Sequence, residues 1–165
     1  MTQDEAKKLI EALKIVKDTN FTLDKINFYV KNIELETTEK NYKDISLLLD
    51  LGMSKKQHKR TTIQLRANKS THLLRNEFFN THTNPPYNKD KAPTDKILSQ
   101  LMQKYSQARL SLEGHLHIYI DGYDDKWAFP ISEFGFSDCD DKFMEQIEQF
   151  CKYANIKIKL QRVLF

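Results

Sequence analysis

The segment HLHIYIDGYDDKWAFPI, His115 to Ile131, is the best-defined element of the chain. Two apolar runs flank Asp121, Gly122, Tyr123, Asp124 and Asp125, a composition that favours a turn, so the segment predicts a β-hairpin. Side chains alternate across a strand, which places His115, His117 and Tyr119 on one face and Leu116, Ile118 and Ile120 on the other. Trp127 and Phe129, in the return strand, are expected in the core.

Working back from this hairpin, Thr94 to Arg109 predicts a helix. Ile97, Leu98, Leu101, Met102 and Tyr105 form its apolar stripe, and Thr94 or Asp95 is its cap. The segment HTNPPYNKDKAPTD from His82 to Asp95 is rich in Pro, Asn and Lys and predicts a surface loop. Before it, YKDISLLLDLG, TTIQLRA and THLLRNEFF predict strands, with ANKS as a turn, which gives a meander. Thr2 to Asp18 predicts a helix from Leu9, Leu13 and Val16, with Thr2 as cap and Glu5 three positions on. FTLDKINFYVKNIEL suits a short turn leading into a strand, with a second helix as the alternative. Working forward, Ser137 and Asp138 cap a helix carrying Phe143, Met144, Ile147, Phe150 and Cys151, and IKIKLQRVLF is a terminal strand. The fold class is therefore α+β: an antiparallel meander packed by N-terminal, inserted and C-terminal helices.

The 165 residues suit one domain, residues 1–165 with a helical insertion at 94–109, since chains usually divide only above roughly 250 residues. With 39% hydrophobic and 30% charged residues, and only 4 Gly and 4 Pro, the composition excludes disordered, collagenous and low-complexity classes. The longest apolar runs fall well short of the roughly 20 residues that span a bilayer. The first residues, MTQDEAKK, lack the apolar core of a secretory signal, so the expectation is a cytoplasmic protein with no membrane partner. Cys139 and Cys151 lack metal-ligand spacing and are expected to be reduced thiols.

The net charge of +3 conceals a polarity. Met53 to Asn76 has no acid and carries Lys55, Lys56, Lys59, Arg60, Arg66, Lys69 and Arg75, for +7. Asp121 to Glu148 carries nine acids against Lys126 and Lys142, for −7. One reading has the basic run meeting phosphates or an acidic protein, with binding residues Lys55, Lys56, Lys59, Arg60, Arg66, Lys69, Arg75, Tyr119 and Lys126. The other has two hairpins of opposite sign neutralising each other across strands.

His115, His117 and Tyr119 are the sharpest chemical pattern, because alternate strand residues stand parallel about 7 Å apart. Two imidazoles with ordinary pKa near 6.5 suit acid and base work on RNA, with His82 as a third candidate and Arg75, Arg66 or Lys126 on the phosphate. HxH on a strand is equally a metal-ligand spacing or a merely polar face; no third ligand is fixed by proximity, so neither a metal nor any other cofactor is assigned. No Gly-rich phosphate loop, GxSxG, CxxC or HExxH occurs. Asp124 with Asp125 and Asp140 with Asp141 have structural explanations, in a turn and at a helix start.

Leu73, Leu74 and Arg75, then His82, Asn84 and Pro85, then His115 to Tyr119 with Gly122, Tyr123, Asp125 to Ala128 and Pro130 make a pattern. It resembles a bacterial domain family, met in genomes and mobile elements, whose members carry LLR, a PHxNP-like loop and HLHIYxEGYxDKWAxP. The resemblance implies one α+β domain and assigns no activity. This chain departs from the pattern twice: the acid expected shortly after the Arg falls at Asn76 or Glu77, and a helix replaces a short loop before HLH. Its Lys96, Gln100, Gln103, Lys104 and Gln107 are expected to be exposed.

Two functions follow as expectations. One is a mobile-element or phage anti-defence protein that binds and inhibits a host nucleic-acid-handling machine such as a defence nuclease, its partner a host protein or a protein–nucleic acid complex. The other is a metal-independent ribonuclease of bacterial toxin type, with RNA as partner, His115 and His117 as acid and base, and His82 assisting.

Overall fold

The computed structural model describes residues 1–22, 30–54, 60–112, 114–137 and 142–160. In chain order the elements are α1 (Gln3–Glu11), β1 (Lys14–Val16), β2 (Val30–Thr37), β3 (Leu47–Met53), β4 (Thr61–Ala67), β5 (Thr71–Phe78) and β6 (His82–Thr83). There follow α2 (Lys96–Lys104), β7 (Arg109–Leu110), β8 (His115–Ile118), β9 (Ala128–Pro130), α3 (Phe143–Tyr153) and β10 (Ile156–Lys157). Eight strands form one sheet in the order β10-β1-β2-β3-β4-β5-β8-β9, and β6 pairs with β7 apart from it.

The α+β class is confirmed, with one change of topology. β1 to β5, β8 and β9 pair antiparallel, but β10 joins β1 in parallel, so the sheet is mixed. A strand that follows α3 returns to the sheet through a helix, and such a crossover permits parallel pairing. Only Ile156 and Lys157 of the expected terminal strand lie in it; residues 161–165 fall outside the described residues.

Alternation builds the core. Leu47, Leu49 and Leu51 of β3 and Ile63 and Leu65 of β4 are at most 2% exposed and pack with Ala6 and Leu9 of α1 and Ile147 and Phe150 of α3. The helices thus cover one face of the sheet, and the polar alternate residues are left on the other.

Three helix expectations need correction. The capping box holds, with Thr2 Oγ1 accepting from the Glu5 amide and the Glu5 carboxylate from the Thr2 amide, but α1 ends at Glu11, not Asp18. Lys14 folds back fully buried, its Nζ donating to the carbonyls of Leu9, Ile10 and Ala12, which satisfies the helix end and releases Ile15 and Val16 into a strand. Burial pushes this ammonium down to about 8. α2 is capped by Asp95 and ends at Lys104, not Arg109; Gln107 takes a left-handed φ of 57°, and Arg109 is already in β7. Ile97, assigned to the α2 stripe, is 72% exposed, whereas Leu98, Leu101 and Met102 are buried as expected. α3 begins at Phe143 with Lys142 in the cap position and no side-chain cap, so Ser137 does not cap it; Asp138, the other expected cap, and Asp140 and Asp141 lie outside the described residues.

Candidate functional site

On the sheet face away from the helices, register brings together residues far apart in sequence. Arg75 of β5 is opposite His117 of β8, and Glu77 is opposite His115. The HxH of one strand therefore meets an RxE of its neighbour, since side chains directly opposite lie within about 5.5 Å at Cβ. β6 lays His82 against this pair, its ring centroid 4.6 Å from that of His117 and 6.1 Å from that of His115. The two strand imidazoles are 5.3 Å apart and each only 1% exposed; His82 is half-buried.

Asn84 fixes the His82 segment. Its Nδ2 donates to the carbonyls of Ala128 (2.8 Å) and Tyr105 (3.1 Å), and its Oδ1 accepts from the Ala128 amide (2.9 Å), so the side chain pairs with β9 as a strand would. His82 Nε2 donates to the Lys126 carbonyl at 3.0 Å. Gly114 lets β8 begin: a Cβ there would stand 2.6 Å from the Phe78 ring and 2.7 Å from Ile131 Cδ1.

Asp125 supplies the electrostatic counterpart. Its carboxylate lies 3.2 Å from Arg75 Nη2 and 3.0 Å from His72 Nδ1, while its carbonyl lies 2.8 Å from His117 Nδ1. A carbonyl only accepts, so His117 Nδ1 carries the proton and its Nε2 presents a lone pair. That Nε2 lies 3.9 Å from Glu77 Oε2, and His115 Nε2 lies 3.6 Å from the same oxygen.

The charge states follow. Burial, then the positive charge of Arg75, push the His117 imidazole well below its ordinary value, against the hydrogen bond to the Asp125 carbonyl. His82 is lowered by burial and by Arg75, against the Lys126 carbonyl. Burial raises the Glu77 carboxyl, but the hydrogen bond from His115, the charge of Arg75 and the hydrogen bond from Asn80 outweigh it and hold the group ionised. Glu77 and Asp125 thus stand against a single guanidinium, beside imidazoles at His82 and His117 that are neutral at pH 7.

His82, His115, His117 and Arg75 are brought together as the sequence suggested, and the ambiguity between Asn76 and Glu77 resolves: Glu77 faces the cluster, while Asn76, opposite Leu116, is fully buried on the helix side. Tyr119 does not belong. β8 stops at Ile118, and the Tyr119 hydroxyl donates to the Met1 carbonyl at the start of α1. Lys126 lends its carbonyl to His82, while its side chain is exposed.

Arg66 is not a free phosphate ligand either: its Nε meets the Asp50 carboxylate and its Nη1 the Lys69 carbonyl. Arg60 and Lys69 are exposed; Lys55, Lys56 and Lys59 lie outside the described residues. Among the described residues, the neutralising reading of the charge runs holds at one point, Arg75 with Asp125. Sequence reasoning missed Glu77 as a partner of His115, Asp125 as more than a turn residue, and Asn84 as the pin of the loop. The i, i+2 spacing of Arg75 and Glu77 beside HxH was the available signal.

The geometry also supplies the third ligand that spacing had left open: ligand atoms of Glu77, His115 and His117 all lie within 4.8 Å of one another. A separate groove of about 340 Å³ between α1 and α2, floored by Leu74, Leu98, Leu101 and Ile118, lies on the opposite face of the sheet. It is lined by none of the clustered histidines.

A family model described as a family of unknown function (DUF6978) matches residues 1–156. The chain belongs to that family. Its match spans α1 through Ile156, so every residue of the cluster lies within the shared domain. No curated protein and no solved structure matches the chain significantly. Among the described residues no helix is long and apolar enough to cross a membrane.

Proposed function

We propose that the protein cleaves phosphodiester bonds in RNA, with the cluster under β6 as its active centre. The observation that supports this is the packing of three imidazoles from two distant segments around one guanidinium and one buried carboxylate. Ionisable groups shifted together in a covered site are a mark of chemistry. Arg75, whose side chain is 26% exposed, meets the phosphate. His82, on the more open side, exchanges protons with the ribose hydroxyl or the leaving oxygen, and His115 and His117 complete the centre.

The second reading is a binding protein, in mobile elements or phage, that inhibits a host nucleic-acid-handling machine such as a defence nuclease. The exposed Ile97 on α2, beside Lys96 and Gln100, favours a protein contact there. Fewer cations support it than the sequence suggests, because Arg66 and Arg75 are engaged inside the molecule.

Incubation of the purified chain with mixed RNA separates the two. Cleavage by the wild type, reduced at least about 100-fold in His82→Ala and His117→Ala, is the expected result. Expression should then arrest growth, and His117→Ala should relieve the arrest. Intact RNA and tolerated expression, together with binding of a host protein that Ile97→Asp abolishes, would replace this reading with the second.

A further inference from the structure

We propose that Glu77, His115 and His117 hold a divalent transition-metal ion of the zinc class. The inference rests on reading the cluster as the working site and names the electrophile that site uses; it departs from the metal-independent chemistry expected from sequence.

Geometry carries it. A carboxylate oxygen of Glu77 and one ring nitrogen of each histidine lie within 4.8 Å of one another, and Nε2 of His115 and of His117 stand 3.6 and 3.9 Å from Glu77 Oε2. The proton by which His115 bonds to Glu77 would be released to solvent on ligation. Ligands about 2.1 Å from a tetrahedral ion are about 3.4 Å apart, so the set closes on an ion by small side-chain shifts. All three residues stand on adjacent β5 and β8, rigid supports that loops do not match. Ligating imidazoles characteristically donate their other nitrogen to a carbonyl or carboxylate, and His117 does so to Asp125.

Charge agrees with geometry. Glu77 and Asp125 against Arg75 leave the cluster one negative charge in excess, which repels a phosphate anion and attracts a cation. A dication reverses that sign and leaves Arg75 and the metal together facing an anionic substrate. The guanidinium of Arg75 is shared between Asp125 at 3.2 Å and Glu77 Oε1 at 3.6 Å, with Nη2 also 3.5 Å from His117 Nε2. Glu77 Oε2 accepts from Asn80 Nδ2 at 2.6 Å, and its second lone pair is the one that meets the ion.

The test uses the full chain, stripped with chelator and dialysed against Zn²⁺ alone, with metal read by elemental analysis and affinity by competition with a chromophoric chelator. One equivalent is expected, with a Tm rise of about 5–10 °C at zinc about 100-fold above Kd. Co²⁺ in its place should give visible bands of a low-coordinate N/O site. Glu77→Gln and His117→Gln, close in size to the native side chains, should lose at least about 100-fold in affinity and the cobalt bands while melting cooperatively without metal. Substoichiometric zinc in the wild type, or equal uptake by both variants, would overturn the proposal. No RNA enters these measurements, so a zinc site without RNA cleavage removes the ribonuclease reading alone. Histidine-dependent cleavage by fully stripped protein removes the metal alone.

Discussion

Two polar clusters share one face of the sheet, and even one cross-strand row: Asn32, Asp50 and Gln64 stand in register with Arg75 and His117. Around Asp50, donors and acceptors balance. Asn32 Nδ2 at 2.6 Å, Gln64 Nε2 at 2.8 Å and Arg66 Nε all donate to its two oxygens. Around Glu77 ring nitrogens gather as well: Asn80 Nδ2 donates to Oε2 at 2.6 Å and His115 donates to the carboxylate, while Nε2 of His117, 3.5 Å from Arg75 Nη2, stands 3.9 Å from Oε2. A carboxylate held by amides and a guanidinium has only donors around it and ties strands together, whereas imidazoles round a carboxylate can give up a proton and take an ion instead. Two carboxylates on strands two apart in the sheet thus do different work, and what sets Glu77 apart is the pair of imidazoles beside it.

The largest effect that separates the ends is on stability. Asp50→Ala should destabilise the fold by about 2–4 kcal/mol, because Arg66, only 21% exposed at its side chain, loses its carboxylate partner. Zinc uptake by the folded fraction should stay at the wild-type level. Urea denaturation beside zinc titration checks both, and a coupled loss would mean that the row is one unit.

The contrast was only half legible in the sequence. Alternation in TTIQLRA and THLLRNEFF matches β4 and β5 nearly residue for residue, and the Asn68–Lys69 turn between them has positive φ at both residues, as its Asn-containing sequence suggests. HLHIYIDGYDDKWAFPI is the hairpin that its pattern implied. The helix ends were missed because a buried lysine closes α1 in place of the usual Gly or Asn, and no local signal encodes that. The Glu77–His115 pairing was missed for a different reason. It depends on the register between β5 and β8, separated by a loop, a helix and β6–β7, and register across such a connection is set by tertiary packing. Tyr119 was misassigned because alternation fails where a strand ends, and the end of β8 is fixed by the amide of Tyr119 bonding to Leu73 and the α1 terminus docking on its hydroxyl.

A smaller effect tests the site end alone. Gly114→Ala puts a methyl group against Phe78 and Ile131 at the entry to β8, which should cost about 1–3 kcal/mol. The displacement falls next to His115, so zinc affinity should weaken with stability here, in contrast to Asp50→Ala. Melting curves with and without zinc measure both, and an unchanged zinc-induced Tm shift would show that β8 tolerates the shift without moving its histidines.

The smallest effect probes how tightly the Asp50 end is balanced. Burial raises the Asp50 carboxyl, but hydrogen bonds from Arg66, Gln64 and Asn32 outweigh it, so its pKa lies below the ordinary aspartate value. A carboxyl lowered in the folded state adds stability above the unfolded pKa of about 4 and loses it as pH falls through the folded value. Asn32 is exposed, so water replaces much of its bond, and Asn32→Ala should cost about 0.5–1 kcal/mol at pH 7. The same substitution raises the folded pKa of Asp50 toward the unfolded one, so the gap between variant and wild type must narrow below pH 4. Urea midpoints at pH 7 and pH 3 give the two gaps. A gap that stays constant across that range would place the role of Asn32 in β2 packing, not in the charge of Asp50, and would leave Arg66 and Gln64 to hold the carboxylate by themselves.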